Sequence, residues 1–459
     1  MSDPDLLGKL RSALSTTPAS APRGFVRGLT SLSIRAALPG ARIGDIAIVE
    51  RPLSRGGELS CEVVGFGTGG DATASAALEV VLMPLGALAG VGPDDAVRLQ
   101  EGGAEIHPHD GWLGRIVDGL GRAIDGGPPL PRGAPAPIDR RAPGPLERLA
   151  IERPLSTGVR ALDGLLTIAE GQRIGLFAGS GVGKSTLLGA IARGTSADVV
   201  VVALVGERGR EVGEFLEHAL GVEGRKKACV VVATSDAAAL ERLRAAQVAT
   251  AIAEHFAHRE GKSVLLLVDS ITRFARAQRE IGLAAGEPPT RRGYPPSAFA
   301  ILPRLLERAG RGAKGSITAI YTVLVEGSDM EEPIADEVRG ILDGHVVLER
   351  AIAARGRYPA VDVSCSLSRV MDAVVTPEHA EAARKVRGLV GTYESKRDLL
   401  AIGAYQKGTE PDLDDAVARM PMIEAFLRQD ATEIVPFDAT VESLFKLAKG
   451  ARGGWRAAR

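Results

Sequence analysis

Cysteine, aromatic residues and net charge are all scarce in this chain, and each scarcity excludes something. Its 459 residues include three cysteines, Cys61, Cys229 and Cys365. They lie far apart, without the short spacings of metal-binding thiols, so neither a disulfide framework nor a zinc module is expected, and the thiols read as reduced. Aromatics make up 4% of the chain, so its core has to be built from Val, Leu, Ile and Ala. Charge of one sign is missing as well. With 56 Lys and Arg against 57 Asp and Glu, no global field draws the protein to a nucleic-acid backbone, and no nucleic-acid partner is expected. Long apolar runs are absent too. Residues 199–205 and 264–268, among the longest, are far below the roughly 18 needed to cross a bilayer, and no secretory apolar segment follows Met1. A soluble, cytoplasmic protein of two to four domains is expected.

What is present is patterned in blocks. Leu6, Leu7, Leu10 and Leu14 recur at helical spacing, which predicts a short amphipathic helix over 3–15 with a linker to residue 23. Short alternating segments at 29–34, 43–49, 59–66 and 78–83, parted by Gly, Pro and Asp, predict a small β-barrel over 24–99. From about 100 to 375 near-continuous apolar runs alternate with helical stretches. That is the pattern of an α/β domain whose parallel strands are covered on both faces. Beyond Pro377 the strand signal disappears, and 376–459 is expected to be all helical.

Chemistry concentrates in the α/β block. Residues 173–186 read as a buried strand running into Gly179-Ser180-Gly181-Val182-Gly183-Lys184-Ser185-Thr186. This is a phosphate-binding loop: the glycines let successive N–H groups converge on phosphate oxygens at a helix N-terminus. Lys184 would reach the β- and γ-phosphates and Ser185 a Mg2+ ion. Ala178 replaces the first glycine of the usual pattern, at the strand end where a small residue still fits. A second buried strand ends in Asp269, placed to hold Mg2+ through a water, or else to cap the following helix. The run 199–205 leads into Gly206-Glu207-Arg208-Gly209-Arg210-Glu211. Glu207 at this strand tip is the candidate general base for a water attacking phosphorus, with a surface ion pair to Arg208 as the other reading.

Together the loop, the Gly-Glu-Arg-Gly-Arg-Glu-Val segment and Pro359-Ala-Val-Asp-Val-Ser-Cys-Ser-Leu-Ser-Arg369 resemble the catalytic subunits of the rotary F-type ATPase superfamily. Within it the chain looks like the export ATPases of type III secretion, from about residue 25 onward. Further matching stretches are Arg292-Gly-Tyr-Pro-Pro-Ser297 and Gly403-Ala-Tyr-Gln-Lys-Gly408. The resemblance implies a β-barrel, a RecA-like P-loop core and a helical C-terminal domain. It also implies ATP and Mg2+ as ligands, Arg369 as an arginine finger and Tyr358 stacked on adenine. Glu207, Lys184, Arg369 and Arg208 make up the expected catalytic set. In heteromeric rotary ATPases the glutamate and the finger are divided between two kinds of subunit, whereas here one chain carries both. A homohexamer with a shared cleft at each interface is therefore expected.

The implied partners are a stator-like regulatory protein on the N-terminal segment, stalk and export-gate proteins, export substrates and their chaperones, at the cytoplasmic face of the inner membrane. Flagellar export is the leading reading. An injectisome ATPase and the catalytic subunit of an ATP synthase remain open, as do a ring-shaped nucleic-acid motor, which would show nucleic-acid-stimulated turnover, and a non-catalytic nucleotide-binding subunit, against which Glu207 argues.

Overall fold

The computed structural model describes residues 23–67, 79–100, 104–325 and 329–449. The amphipathic helix expected over 3–15 lies outside them. The chain forms two compact units, Met1–Ala104 with Ala284–Gly286, and the remainder.

The first unit holds a closed antiparallel barrel. Its strands are β1 (Arg23–Leu29), β2 (Ile34–Ala37), β3 (Ile46–Glu50), β4 (Glu58–Gly67), β5 (Glu79–Pro84) and β6 (Ala96–Leu99), joined in the order β1-β2-β5-β4-β3-β6. Alternate residues point inward. Val26, Ile34, Ala36, Ala47, Val49, Cys61, Val63, Leu82 and Val97 fill the interior. One expected strand is corrected: residues 30–33 are the connection between β1 and β2, with Leu29 ending the first strand and Ile34, its cross-strand partner, starting the second. The Thr30 hydroxyl accepts from Ser33 N at 2.9 Å, and Thr30 N donates to the Ser33 carbonyl. A Thr/Ser pair that closes on its own backbone outweighs the alternation of Leu29, Leu32 and Ile34.

In the second unit β7 (Glu105–Ile106) pairs with β9 (Ala136–Pro137), and a large sheet is built from β8 (Ile116–Asp118), β10 (Arg173–Ala178), β11 (Val199–Glu207), β12 (Ala228–Thr234), β13 (Ser263–Asp269), β15 (Ser316–Leu324), β16 (Gly344–Leu348) and β17 (Val361–Ser368). The spatial order is β17-β16-β10-β15-β13-β11-β12-β8, with β14 (Gly310–Arg311) added antiparallel to β15. Every strand from β16 to β8 along this order runs parallel, whereas β17 is antiparallel to β16. All nine residues of β11 are buried, and so are six of the seven in β13, which is why these strands read as unbroken apolar runs.

Parallel strands end on one edge. Ala178, Glu207, Asp269 and Leu324 therefore line up there, as in other open α/β sheets that bind ligands beyond their carboxyl ends. The helices Pro377–Ser395, Pro411–Leu427 and Phe437–Lys449 belong to the same compact unit. Val386, Ile423, Phe426 and Leu444 share one core with Leu162, Leu166 and Ile174 from the sheet side.

Candidate active site

The cradle grows from the end of β10. Gly181 (φ 79°) and Gly183 (φ 90°) take left-handed backbone conformations that side-chain-bearing residues avoid. A Cβ at Gly183 would lie 3.5 Å from the Tyr358 ring, so the loop and the aromatic are in direct van der Waals reach. Gly183 caps the helix Lys184–Gly194 without a side-chain bond, which leaves the first N–H groups of that helix to an anion. Val182 is buried beneath the loop, while Ser180, Gly181, Ser185 and Thr186 are exposed on it and Gly179 is half-buried.

Strand order brings the carboxylates in. Two strands across from β10, Asp269 meets the Lys184 ammonium through Oδ1 and accepts a hydrogen bond from Thr322 Oγ1 at 2.7 Å. Thr322 stands on β15, the strand between them, where the register Val268↔Tyr321 sets it beside Asp269. One strand further, Leu204 is level with Asp269, so Glu207 projects three residues beyond that line and over the cradle. Its Oε1 is 3.5 Å from Lys184 Nζ. Arg273, one turn into the helix that follows Asp269, donates to Glu207 Oε2 at 3.1 Å and also to the Gly206 carbonyl.

Glu207 is buried, yet its Oε1 has no hydrogen-bond partner. Burial pushes its carboxyl up to about 7; the Lys184 charge opposes this, and the nearby Asp269 charge and hydrogen bonding with Glu211 add to it. The same contact with Glu207 holds Glu211 below its ordinary range.

Two adjoining spaces share Gly183 and Thr186. One, of about 740 Å³, is lined by Lys184, Glu207, Glu211, Arg273 and Arg350 along with the loop; the other, of about 280 Å³, lies between Tyr358, Pro359, Leu187 and Gln429. A charged compartment and an apolar slot side by side match a triphosphate joined to a planar base.

Two expected members stand apart from this cluster. Arg208 is exposed, and its guanidinium faces Glu211 at 3.4 Å rather than Glu207. Arg369 follows β17, whose last residue Ser368 pairs with Gly344 at the start of β16, while Leu348 at its far end is level with Ala178. That is four residues, about 13 Å, from the cradle edge, on the opposite side of the sheet's length. Arg369 is exposed there, its backbone N–H bonded to the Asp343 carbonyl.

Sequence reasoning overlooked Arg273, Thr322 and Gln429. Arg273 carried a signal, being four residues after the strand-end Asp269 and so one helical turn on. Thr322 and Gln429 carried none, because only strand order and the docking of the C-terminal helices bring them near.

Residues 158–368 match the ATP synthase alpha/beta family, nucleotide-binding domain, and residues 375–446 the T3SS EscN ATPase C-terminal domain. The chain is 48% identical over 425 residues to the "Flagellum-specific ATP synthase" of Bacillus subtilis, covering 92% of this chain and 94% of that protein. It is 49% identical, also over 425 residues, to the "Type 3 secretion system ATPase" of Sinorhizobium fredii, with 93% and 92% covered. The chain belongs to the flagellar and type III secretion ATPase family. This export ATPase shares its fold with the assembled EscN ATPase of enteropathogenic E. coli at a TM-score of 0.85 and 46% identity, over 93% of this chain and all of that one. A second EscN structure, in complex with its central stalk EscO, matches at 0.83. The expected barrel, parallel-sheet core and helical C-terminal part are thus all present, and the EscN match of the last segment places the ATPase on the export branch rather than with the rotary synthases. No described helix is long and apolar enough to cross a membrane.

Proposed function

We propose that this ATPase hydrolyses MgATP in clefts completed between neighbouring copies of itself, as a homohexameric ring that drives flagellar protein export. The observation that carries this reading is the opposed placement of Lys184 and Arg369. A finger at the far end of β17 has no route to its own chain's cradle, but in a ring of identical subunits it reaches the next one, and six equivalent heterologous contacts close the ring.

The residues at the cradle fit a magnesium nucleotide. The Ser185 hydroxyl stands on the loop, Asp269 ends a strand two places along the sheet, and Oε1 of buried Glu207, without a hydrogen bond, faces the same space. Ser185, and Asp269 through a water, would hold Mg2+. When bound, the ion neutralises charge on the β- and γ-phosphate oxygens. Lys184 and the loop N–H groups bind and orient the triphosphate, and Tyr358 covers the base. Glu207 aligns a water with the γ-phosphorus and takes its proton as the new P–O bond forms and ADP departs. Arg369 of the neighbouring subunit meets the charge on the transferring group.

A carboxyl poised at about 7 suits a base that must be ionised to start and protonated to finish. Loss of the finger, in Arg369→Ala, is expected to slow turnover by about 10³ to 10⁵ with nucleotide binding retained. Specific activity of the unaltered protein should rise with protein concentration as rings form. Normal turnover in the variant would refute the reading.

A central stalk like that bound by EscN, a stator-like partner on residues 1–23, the export gate, chaperoned substrates and a seat at the inner membrane complete the proposal. Flagellar and injectisome relatives match equally well, so motility decides between the two. A strain deleted for this gene should be non-motile and without filaments, and a motile strain that fails to inject effectors would transfer the ATPase to the other apparatus.

A further inference from the structure

At the sheet edge opposite the cradle, a helix is locally widened for no reason that nucleotide chemistry supplies. The helix Ala239–Glu254 continues as a π-helical turn over His255–Arg259 before the chain enters β13. The Glu260 N–H bonds back five residues to the His255 carbonyl at 3.4 Å. In an ordinary α-helix, residues five apart point about 140° away from each other. The wider turn brings them to one face, and such turns are rare and concentrate at functional positions.

The face so formed meets Asp110, in the single turn Asp110–Trp112. One imidazole nitrogen of His255 and one carboxylate oxygen each from Asp110 and Glu260 lie within 4.8 Å of one another. His255 is 9% exposed, and its Nδ1 is fully buried with no hydrogen-bond partner. A buried ring nitrogen without a hydrogen bond is costly, and the same imidazole presents a nitrogen to two carboxylates.

The geometry points to a site for a zinc-class divalent transition-metal ion, held by His255, Asp110 and Glu260 with solvent completing the coordination. Ligands at about 2.0–2.2 Å from an ion stand closer together than 4.8 Å. Asp110 and Glu260 are exposed, and a rotamer adjustment closes the remaining gap. Imidazole selects zinc, cobalt or nickel over magnesium and calcium, which favour all-oxygen sites. Burial favours the neutral imidazole, leaving a lone pair to donate, although the Glu260 and Asp110 charges pull the other way. Arg259 donates to the Pro135 carbonyl at 3.1 Å, and His109 Nδ1 accepts from Gly111 N. A bound ion would pin the Asp110–Trp112 turn, whose indole is already buried and bonded to the Pro131 carbonyl, to the end of the long helix.

The test uses the full-length protein stripped with chelator, with Co2+ as a spectroscopic probe in excess Mg2+ to occupy the nucleotide site. One equivalent of Co2+ should bind with visible absorption, lack thiolate charge-transfer bands and be displaced by Zn2+. Asp110→Asn and Glu260→Gln, both at exposed positions that leave folding and ATP turnover intact, should each weaken binding about tenfold or more. Co2+ binding unchanged in the double variant, thiolate bands, or no stoichiometric binding would each overturn the site.

Discussion

Two glutamates of this ATPase are buried to the same depth, 6% exposed each, and live in opposite conditions. Glu254 receives Arg308 on both oxygens, at 2.8 and 2.9 Å, and Arg308 also donates to the Ile138 carbonyl at 2.7 Å. Every charge in that pair is answered. Glu207 shares Lys184 with Asp269, takes one bond from Arg273 and keeps one oxygen without a hydrogen bond. The pair at Glu254 holds structure together, whereas Glu207 faces the cleft of about 740 Å³ at the loop edge and stands ready to change its proton. A buried carboxylate whose partners are incomplete marks chemistry; one whose partners are complete marks architecture.

Substitution separates the two most sharply at the cradle. Lys184→Ala should abolish nucleotide binding, because it removes ground-state contacts to phosphate. Glu207→Gln should bind nucleotide within a few-fold of normal in a fluorescent-nucleotide titration, yet lose about 10³ or more in turnover. Equal loss of binding in both would erase the distinction between cradle and base. At the other carboxylate the effect moves to stability. Glu254→Gln strands the buried Arg308 guanidinium and should cost about 3–5 kcal/mol of unfolding free energy in denaturant melts, with turnover per folded chain preserved.

The pH profile sharpens the comparison further. With the Glu207 carboxyl at about 7, turnover should climb through neutral pH as the carboxylate forms and level off above it. Because this folded-state value lies above the ordinary one of 4.5, the sign for stability is opposite. The native state holds an extra proton between pH 4.5 and 7, so the contribution of Glu207 to stability is full below 4.5 and is lost as pH rises through 7. Glu207→Gln should remove the rising limb of the residual activity. The smallest effect belongs to the base slot: Tyr358→Ala should raise the nucleotide Kd about tenfold, the scale of one aromatic–base stack, and leave kcat nearly unchanged.

What the sequence made legible follows from how local each signal is. The loop 179–186, the strand-end Asp269 and Glu207, and the long apolar strands announce themselves within a dozen residues. Arg369 and Tyr358 did so only through a matched segment, since an isolated Arg or Tyr carries no positional information. Arg208 adjoins Glu207 in the sequence, yet successive residues past a strand end point apart, and its guanidinium meets Glu211 instead. Thr322 and Gln429 depend on which strand lies between which and on where the C-terminal helices dock. Gln429, for example, is set by bonds to Gly158 and Arg160, some 270 residues away in the chain. The segment 29–34 shows the reverse case, where a short-range hydroxyl bond at Thr30 and Ser33 turns the chain between two paired strands and outweighs the hydrophobic alternation.

The central claim is that each cleft borrows its arginine. It is tested most directly by mixing Glu207→Gln chains, which keep Arg369, with Arg369→Ala chains, which keep an intact cradle. Each is expected to be inactive alone, and random one-to-one rings should recover about a quarter of normal turnover, the share of interfaces that pair a whole cradle with a whole finger. A mixture as inactive as its two components would contradict the account.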